Sequence, residues 1–270
     1  MDKTERKCKV IAVSNQKGGV SKTTTAVNLG IGLTRMGKKV LLLDIDPQGS
    51  LTASLGIREP DKLERTLAAV INTIMEGGEV EAGFGILTHE EGVQFLPANI
   101  DLAAVEVSLI SAMSREYMLK EYRETVVPYY DYIIADCMPS LGMLTINALA
   151  AADTVLIPLQ AQYLSLKGLD QLIATIMRIK RRINPVLDFE GILLTMVDAR
   201  TNYSKDIMEM VREGYGQRIP VFKSHIPLSV RVAEASAEGK SIYLHDPKGK
   251  AAAAYEGLAK EVLNNGSKEK

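Results

Sequence analysis

The sequence predicts an α/β fold: a doubly wound, mainly parallel sheet with helices on both faces. Three observations carry that expectation. Five strand-length runs are apolar almost throughout, which is how strands covered on both faces read. Helical patterns separate them, so strand and helix alternate along the chain. A glycine-rich turn joins the first run directly to the first helical pattern, at the place where open parallel sheets bind ligands.

The elements follow in order. KVIAVS from Lys9 is the first run and KVLLLDID from Lys39 the second. Between them, Ala26, Leu29, Leu33 and Met36 fall on one face of a helix over Thr23–Met36, and Gly37 stops it. GVQFLPA from Gly92 is a third strand, YDYIIADC from Tyr130 a fourth, DTVLIPLQ from Asp153 a fifth and EGILLTMVDA from Glu190 a sixth. VFKSHIP from Val221 is a further strand candidate. The longest apolar region, Gly142 to Ala161, contains Asn147, Asp153 and Pro158, so it reads as a helix followed by a strand rather than a membrane span. No repeat or long linker divides the chain. One domain is expected over 9–264, between a polar stretch 1–8 and a flexible C-terminal tail 265–270.

Composition narrows the class. The 270 residues include 32 Lys and Arg against 33 Asp and Glu, so any nucleic-acid contact must come from a local patch. Trp is absent and there are 4 Phe, so aliphatic side chains and Met must build the core. Cys8 and Cys137 form no C-x-x-C pair, and nothing suggests a disulfide framework or zinc site. A cytoplasmic setting without a secretory signal is the expectation.

The chemistry centres on SNQKGGVSKTTTAVNLG, Ser14 to Gly30. Strand, glycines, lysine, threonines and helix stand in the order that a phosphate loop requires. Backbone N–H groups from Gly18 through Gly19, Val20, Ser21 and Lys22 to Thr23 can curl around a phosphate, with the helix N-terminus behind them. Lys22 would reach the β- and γ-phosphates, Thr23 would ligate Mg2+, and Thr24 would touch the α-phosphate. Yet the loop departs from G-x-x-x-x-G-K-S/T, with Gln16 and Ser21 where that pattern has glycines. Asp44 and Asp46 end the second run and Asp136 the fourth. Three carboxylates at such ends, beside this loop, suit Mg2+ binding and the positioning of an attacking water.

KGGVSKTTTAVNLG, LLLDIDPQGS, YDYIIADCMPSLGMLTINAL and LLTMVDARTN together resemble the ParA/Soj chromosome- and plasmid-partitioning ATPases. These are P-loop proteins of the deviant Walker A type, related to MinD and the nitrogenase iron protein. The resemblance runs from about Lys9 to Asn264, and it makes Gln16 ordinary, because the deviant loop reads K-G-G-x-x-K-T-T. It implies ATP and ADP as nucleotides, Mg2+ as cofactor, and a two-fold ATP-sandwich dimer. Lys17 is implied to reach the partner's phosphates, and Asp46 to orient the attacking water. Asp44 is implied to be a structural or metal-shell partner, and Asp136 the Walker B aspartate acting on Mg2+ through water. Non-specific double-stranded DNA and a ParB-like centromere-binding protein are the implied partners, with a nucleoid-associated location.

Four positions depart from the family pattern. Ser21 replaces a glycine just before the second lysine, at a cost of about 1 kcal/mol if φ there is positive. Met138 and Ser236 stand where prolines are common, and Leu228 where an arginine is common. The resemblance marks Arg200 and Arg231 as DNA-contacting, with Lys223 and the RIKRR cluster from Arg178 behind them. Such contacts would go to phosphates and depend strongly on salt. No winged-helix segment precedes the first strand, so an operator-binding repressor is not expected. Tyr255, Leu258 and Val262 form a narrow stripe that suits a docked helix, which argues against a MinD-like membrane anchor. Neither cysteine suits a nitrogenase-like cluster. Two alternatives stay open: an ATP-dependent DNA clamp with negligible hydrolysis because of Ser21, and a ParA-like ATPase that positions a cargo other than DNA.

Overall fold

The computed structural model describes residues 8–267. Among the described residues, seven strands form a single sheet: β1 (Lys9–Val13), β2 (Val40–Ile45), β3 (Leu87–Thr88), β4 (Gln94–Leu96), β5 (Tyr132–Cys137), β6 (Thr154–Gln160) and β7 (Asp188–Thr195). Their order is β3-β4-β2-β5-β1-β6-β7. Every neighbouring pair is parallel except β3–β4. The five apolar runs and GVQFLPA all contain strands, as expected. β3 was not expected, because two residues carry no readable alternation. VFKSHIP does not form a strand. It makes only isolated parallel bridges, Ile192 to Val221 and Val197 to Pro227.

Alternation along each strand sends side chains to two cores. Val10 and Ala12 of β1, with Leu41, Leu43 and Ile45 of β2, face one layer. It contains α3 (Leu67–Met75), α4 (Asp101–Leu109), α5 (Met118–Val126), α6 (Met143–Ala151), α7 (Tyr163–Arg182) and α8 (Asn202–Tyr215). Ile11, Val13 and Leu42 face the other. It contains α1 (Lys22–Arg35), α2 (Ser50–Ser54), α9 (Val230–Ala237), α10 (Ile242–His245) and α11 (Lys250–Ser267). This is the doubly wound arrangement.

Helix α1 ends where the sequence says it should. Gly37 adopts φ 79° and its N–H donates to Thr34 O at 2.9 Å, a left-handed stop that a Cβ would strain. Tyr255, Leu258 and Val262 of α11 are fully buried against this layer, so the stripe is a docked helix. The helix continues to Ser267, past the expected boundary at 264. Of the expected polar N-terminal stretch 1–8, all but Cys8 lies outside the described residues, as do residues 268–270. Among the described residues, no helix is long and apolar enough to cross a membrane.

Candidate functional site

The loop after β1, Asp44 near the end of β2 with Asp46 just past it, and Asp136 near the end of β5 meet at the carboxyl end of the sheet. Asp44 and Asp136 are register partners across β2 and β5, and Val13 is the partner of Asp136 across β1. Sheet pairing alone therefore puts both carboxylates beside the start of the loop.

The loop is anchored from three sides. Ser14 N donates to Leu156 O at 3.1 Å, and Asn15 Nδ2 to Pro158 O at 2.7 Å, which ties it to β6. Thr195 Oγ1, at the end of β7, donates to Val20 O at 3.2 Å. Lys17 N donates to Asn15 Oδ1 at 3.0 Å. Gly18 and Gly19 form the open part. A Cβ added at either would meet no atom within 4 Å, so these glycines leave a space rather than fill one. That is the form of a cradle for a phosphate.

Ser21 stands immediately before α1 with φ 68° and ψ 32°, in the left-handed region. Its carbonyl accepts from Thr25 N at 2.9 Å, which opens the helix, while its side chain makes no cap hydrogen bond. The position thus has the conformation that glycine adopts freely.

Lys22 is buried, and its Nζ donates to Lys17 O at 2.9 Å, folding the ammonium across the loop. Burial lowers its pKa, while the nearby Asp136, Cys137 and Asp46 push it back up. Lys17 is exposed, and its Nζ donates to Ser165 Oγ in the first turn of α7 at 3.2 Å.

The three aspartates differ in what they hold. Asp44 is fully buried. Its Oδ2 accepts from Thr52 N at 2.8 Å and Thr52 Oγ1 at 2.7 Å, and its Oδ1 from Asp46 N at 3.3 Å. Burial pushes its carboxyl up to about 6 against those hydrogen bonds. Asp46 is half-buried. Its Oδ1 accepts from Gln48 N at 2.9 Å, and Oδ2 has no hydrogen-bond partner among the described residues. Asp136 is buried with neither oxygen within hydrogen-bonding geometry of a partner. Burial and the charge of Asp44 raise its pKa well above the carboxylate range, and nearby Thr23 and Lys22 offset part of that. A buried carboxylate left without a partner is costly unless something else completes it.

The supporting residues were not legible in the sequence. Ser165 lies in no motif, and Asn15 and Thr195, though inside the loop stretch and LLTMVDARTN, show their anchoring role only through the contacts that folding makes. Thr52 lies eight positions after Asp44, in a short helix whose first turn the strand end holds.

The basic residues separate. Leu228 N donates to Val197 O at 3.1 Å, which lays the segment entering α9 beside the loop after β7. Arg200 and Arg231 therefore sit on neighbouring segments at the carboxyl end. Each is paired within the chain: Arg200 with both oxygens of Asp198 at 2.9 and 2.8 Å, and Arg231 with Glu234 at 3.1 Å. Lys223 is exposed further down the edge, where its backbone N–H donates to Glu261 of α11 at 2.9 Å.

Comparisons with known proteins agree with this geometry. A family model described as an AAA domain matches residues 8–189. The sporulation initiation inhibitor protein Soj of Bacillus subtilis is 47% identical over 260 residues, covering 96% of this chain and 99% of Soj. The chromosome partitioning protein ParA of Myxococcus xanthus is 43% identical over 258 residues, covering 94% of this chain and 88% of that protein. Among solved structures, one titled cobyrinic acid a,c-diamide synthase from Mycobacterium smegmatis, with bound ADP and magnesium, superposes with TM-score 0.84. It is 38% identical, with 97% of each chain covered. With the deviant loop, the strand-end aspartates and this likeness over nearly the whole length, the chain belongs to the ParA/Soj family of partitioning P-loop proteins.

Proposed function

We propose that the chain is an ATP-hydrolysing switch that partitions DNA. ATP would join two copies into a nucleotide-sandwich dimer, and the dimer would bind duplex DNA without sequence preference. A ParB-like partner would stimulate hydrolysis and release it, so the protein would work on the nucleoid in the cytoplasm. The observation that carries the reading is the partnerless, buried Asp136 carboxylate close to Lys22, beside an open glycine cradle. An anion in the cradle and a cation at Asp136 would complete both.

The donor set fits Mg2+, which takes hard oxygen ligands and keeps several waters. When bound, it would neutralise charge on the β- and γ-phosphate oxygens. Thr23 Oγ1 and, through water, Asp136 would hold it. Asp44, also read as a metal residue, has its oxygens engaged by Thr52 and Asp46, so its role is to fix Asp46. N–H groups from Gly18 to Thr24 and the Lys22 ammonium would bind the phosphates. Asp46 would orient a water through its open Oδ2. The water oxygen would attack the γ-phosphorus as the bond to the β-bridging oxygen breaks, giving ADP and phosphate. Lys17 would leave Ser165 to reach the partner copy's phosphates. Arg200, Arg231 and Lys223 would meet DNA phosphates once the arginines part from Asp198 and Glu234. The partitioning names of the curated relatives, and the ADP and magnesium in the Mycobacterium smegmatis structure, support the reading.

Asp46→Ala should lower turnover by about 100-fold or more while ATP-dependent DNA binding persists. Lys22→Ala should lose nucleotide altogether. Steady-state phosphate release, with nucleotide and DNA binding measured alongside, checks both, and normal turnover in the Asp46 variant removes that residue from the mechanism.

The left-handed backbone at Ser21 favours a second reading, an ATP-dependent DNA clamp with negligible hydrolysis. Turnover with DNA present separates the two: the clamp predicts none in the wild type and recovery in Ser21→Gly.

A further inference from the structure

Exposed arginines gather at two ends of the molecule and differ in what holds them. At the carboxyl end of the sheet, Arg200 and Arg231 are neutralised by Asp198 and Glu234. At the amino end, where α7 finishes, Arg178, Arg181 and Arg182 are exposed, and none has an ion pair or hydrogen bond among the described residues. Lys180, between them, is taken by Asp188 Oδ1 at 3.2 Å. Arg218 is a fourth exposed and unpaired guanidinium. Ile192 N, midway along β7, donates to Pro220 O at 2.8 Å, which ties the turn carrying Arg218 to this edge of the sheet.

This cluster is more than a helix end with favourable charge. The dipole rewards cations in the last turn only, and Arg178 lies outside the last-turn group of Lys180, Arg181 and Arg182. Like charges three and four residues apart repel, and the acid beside them, Asp188, is paired with Lys180 rather than with Arg178, Arg181 or Arg182. The cluster also lies in line with other cations. The segment 221–227 runs alongside β7, bridged in parallel from Val221 to Ile192 of the strand and from Pro227 to Val197 just past its end, and it carries exposed Lys223. The eight residues of β7 set the length of this edge at roughly 26 Å, or about eight base pairs of duplex.

We propose that the β7 edge is one extended track for duplex DNA, with Arg178, Arg181 and Arg182 as a second phosphate contact beyond Arg200 and Arg231. The proposal rests on the reading that the ATP form binds DNA. DNA suits the cluster better than a lipid surface, because the apolar face of α7 (Leu169, Leu172, Ile176, Ile179) is spent on the core, and the exposed Met177 and Val186 beside the arginines are isolated side chains rather than an apolar stripe that could insert.

The test is the salt dependence of binding, with a non-hydrolysable ATP analogue and Mg2+, to a labelled duplex of about 30 base pairs. Replacing Arg178, Arg181 and Arg182 together by alanine should flatten the slope of log K against log salt by about 2–3 per protomer. A duplex of about 8 base pairs, held at the carboxyl end, should be far less sensitive to the triple change. Arg200→Ala with Arg231→Ala should weaken binding to both lengths. Equal slopes for wild type and triple variant on the long duplex overturn the track. So does an unchanged DNA slope accompanied by lost binding to phosphatidylglycerol vesicles, which moves the surface to lipid. If the Arg200 and Arg231 pair change nothing while the triple variant loses its slope, the carboxyl-end assignment fails and the amino-end contact stands. Arg181→Glu, one exposed charge reversal, gives the same readout without depending on the triple variant's folding.

Discussion

Ser21 is where sequence, backbone and chemistry meet at the scale of a residue. The sequence shows a serine in a glycine position, and the structure places it at φ 68°. A side chain there costs about 1 kcal/mol, so Ser21→Gly should stabilise the nucleotide-free protein by that amount and raise its thermal midpoint by about 2–4 °C. Calorimetry checks this, and a lower midpoint would mean that the serine contributes contacts outweighing its strain. The aspartates make a second residue-scale prediction. Asp44 has its carboxyl at about 6 in the folded protein because it is buried. The folded state therefore holds this proton where the unfolded chain has released it, and stability falls as pH rises through about 4 to 6. Over that window, Asp44→Asn should gain about 2 kcal/mol relative to wild type in metal-free buffer. Chemical denaturation at several pH values reads the difference, and a constant gap would contradict it. The aspartates were legible as types at strand ends, but their division of labour was not. Only burial and Thr52 separate Asp44, which is fully hydrogen-bonded, from Asp136, which is not.

At the scale of elements, near-continuous apolar runs identified five of the strands, because burial on both faces leaves a signal that needs no partner information. The signal fails where pairing is brief. β3 is two residues on the sheet's edge, and VFKSHIP makes only two isolated bridges, one to Ile192 of β7 and one to Val197 just past it. Helix α11 shows what periodicity can decide. Its stripe was read as docking, and Tyr255, Leu258 and Val262 are each fully buried. Leu258→Ala should thus cost about 2–5 kcal/mol, the range for emptying a closed core site. Urea unfolding measures it, and a loss below about 1 kcal/mol would mean that α11 is loosely attached. The anchors of the phosphate loop from β6 and β7 were not readable, since Asn15 to Pro158 and Thr195 to Val20 join residues far apart in sequence.

At the scale of the whole molecule, order along the strands sorts the chemistry. The carboxyl end carries the loop, the aspartates and two neutralised arginines, and the amino end carries unpaired ones. Both cysteines are buried, and burial pushes the Cys8 thiol up to about 12 and raises that of Cys137. Neither should be alkylated by iodoacetamide at neutral pH until the protein unfolds. Mass spectrometry of the treated native protein checks this, and prompt labelling would show that the sheet opens at the start of β1 or the end of β5. The central claim is that nucleotide switches the chain between a monomer and a DNA-binding dimer. Sedimentation of the purified protein in ADP, and in ATP with Mg2+, each with and without non-specific duplex DNA at low and high salt, tests it most directly. The account predicts a dimer that binds DNA only in ATP and releases it in high salt. A protein that remains monomeric in ATP and ignores DNA at low salt would contradict it.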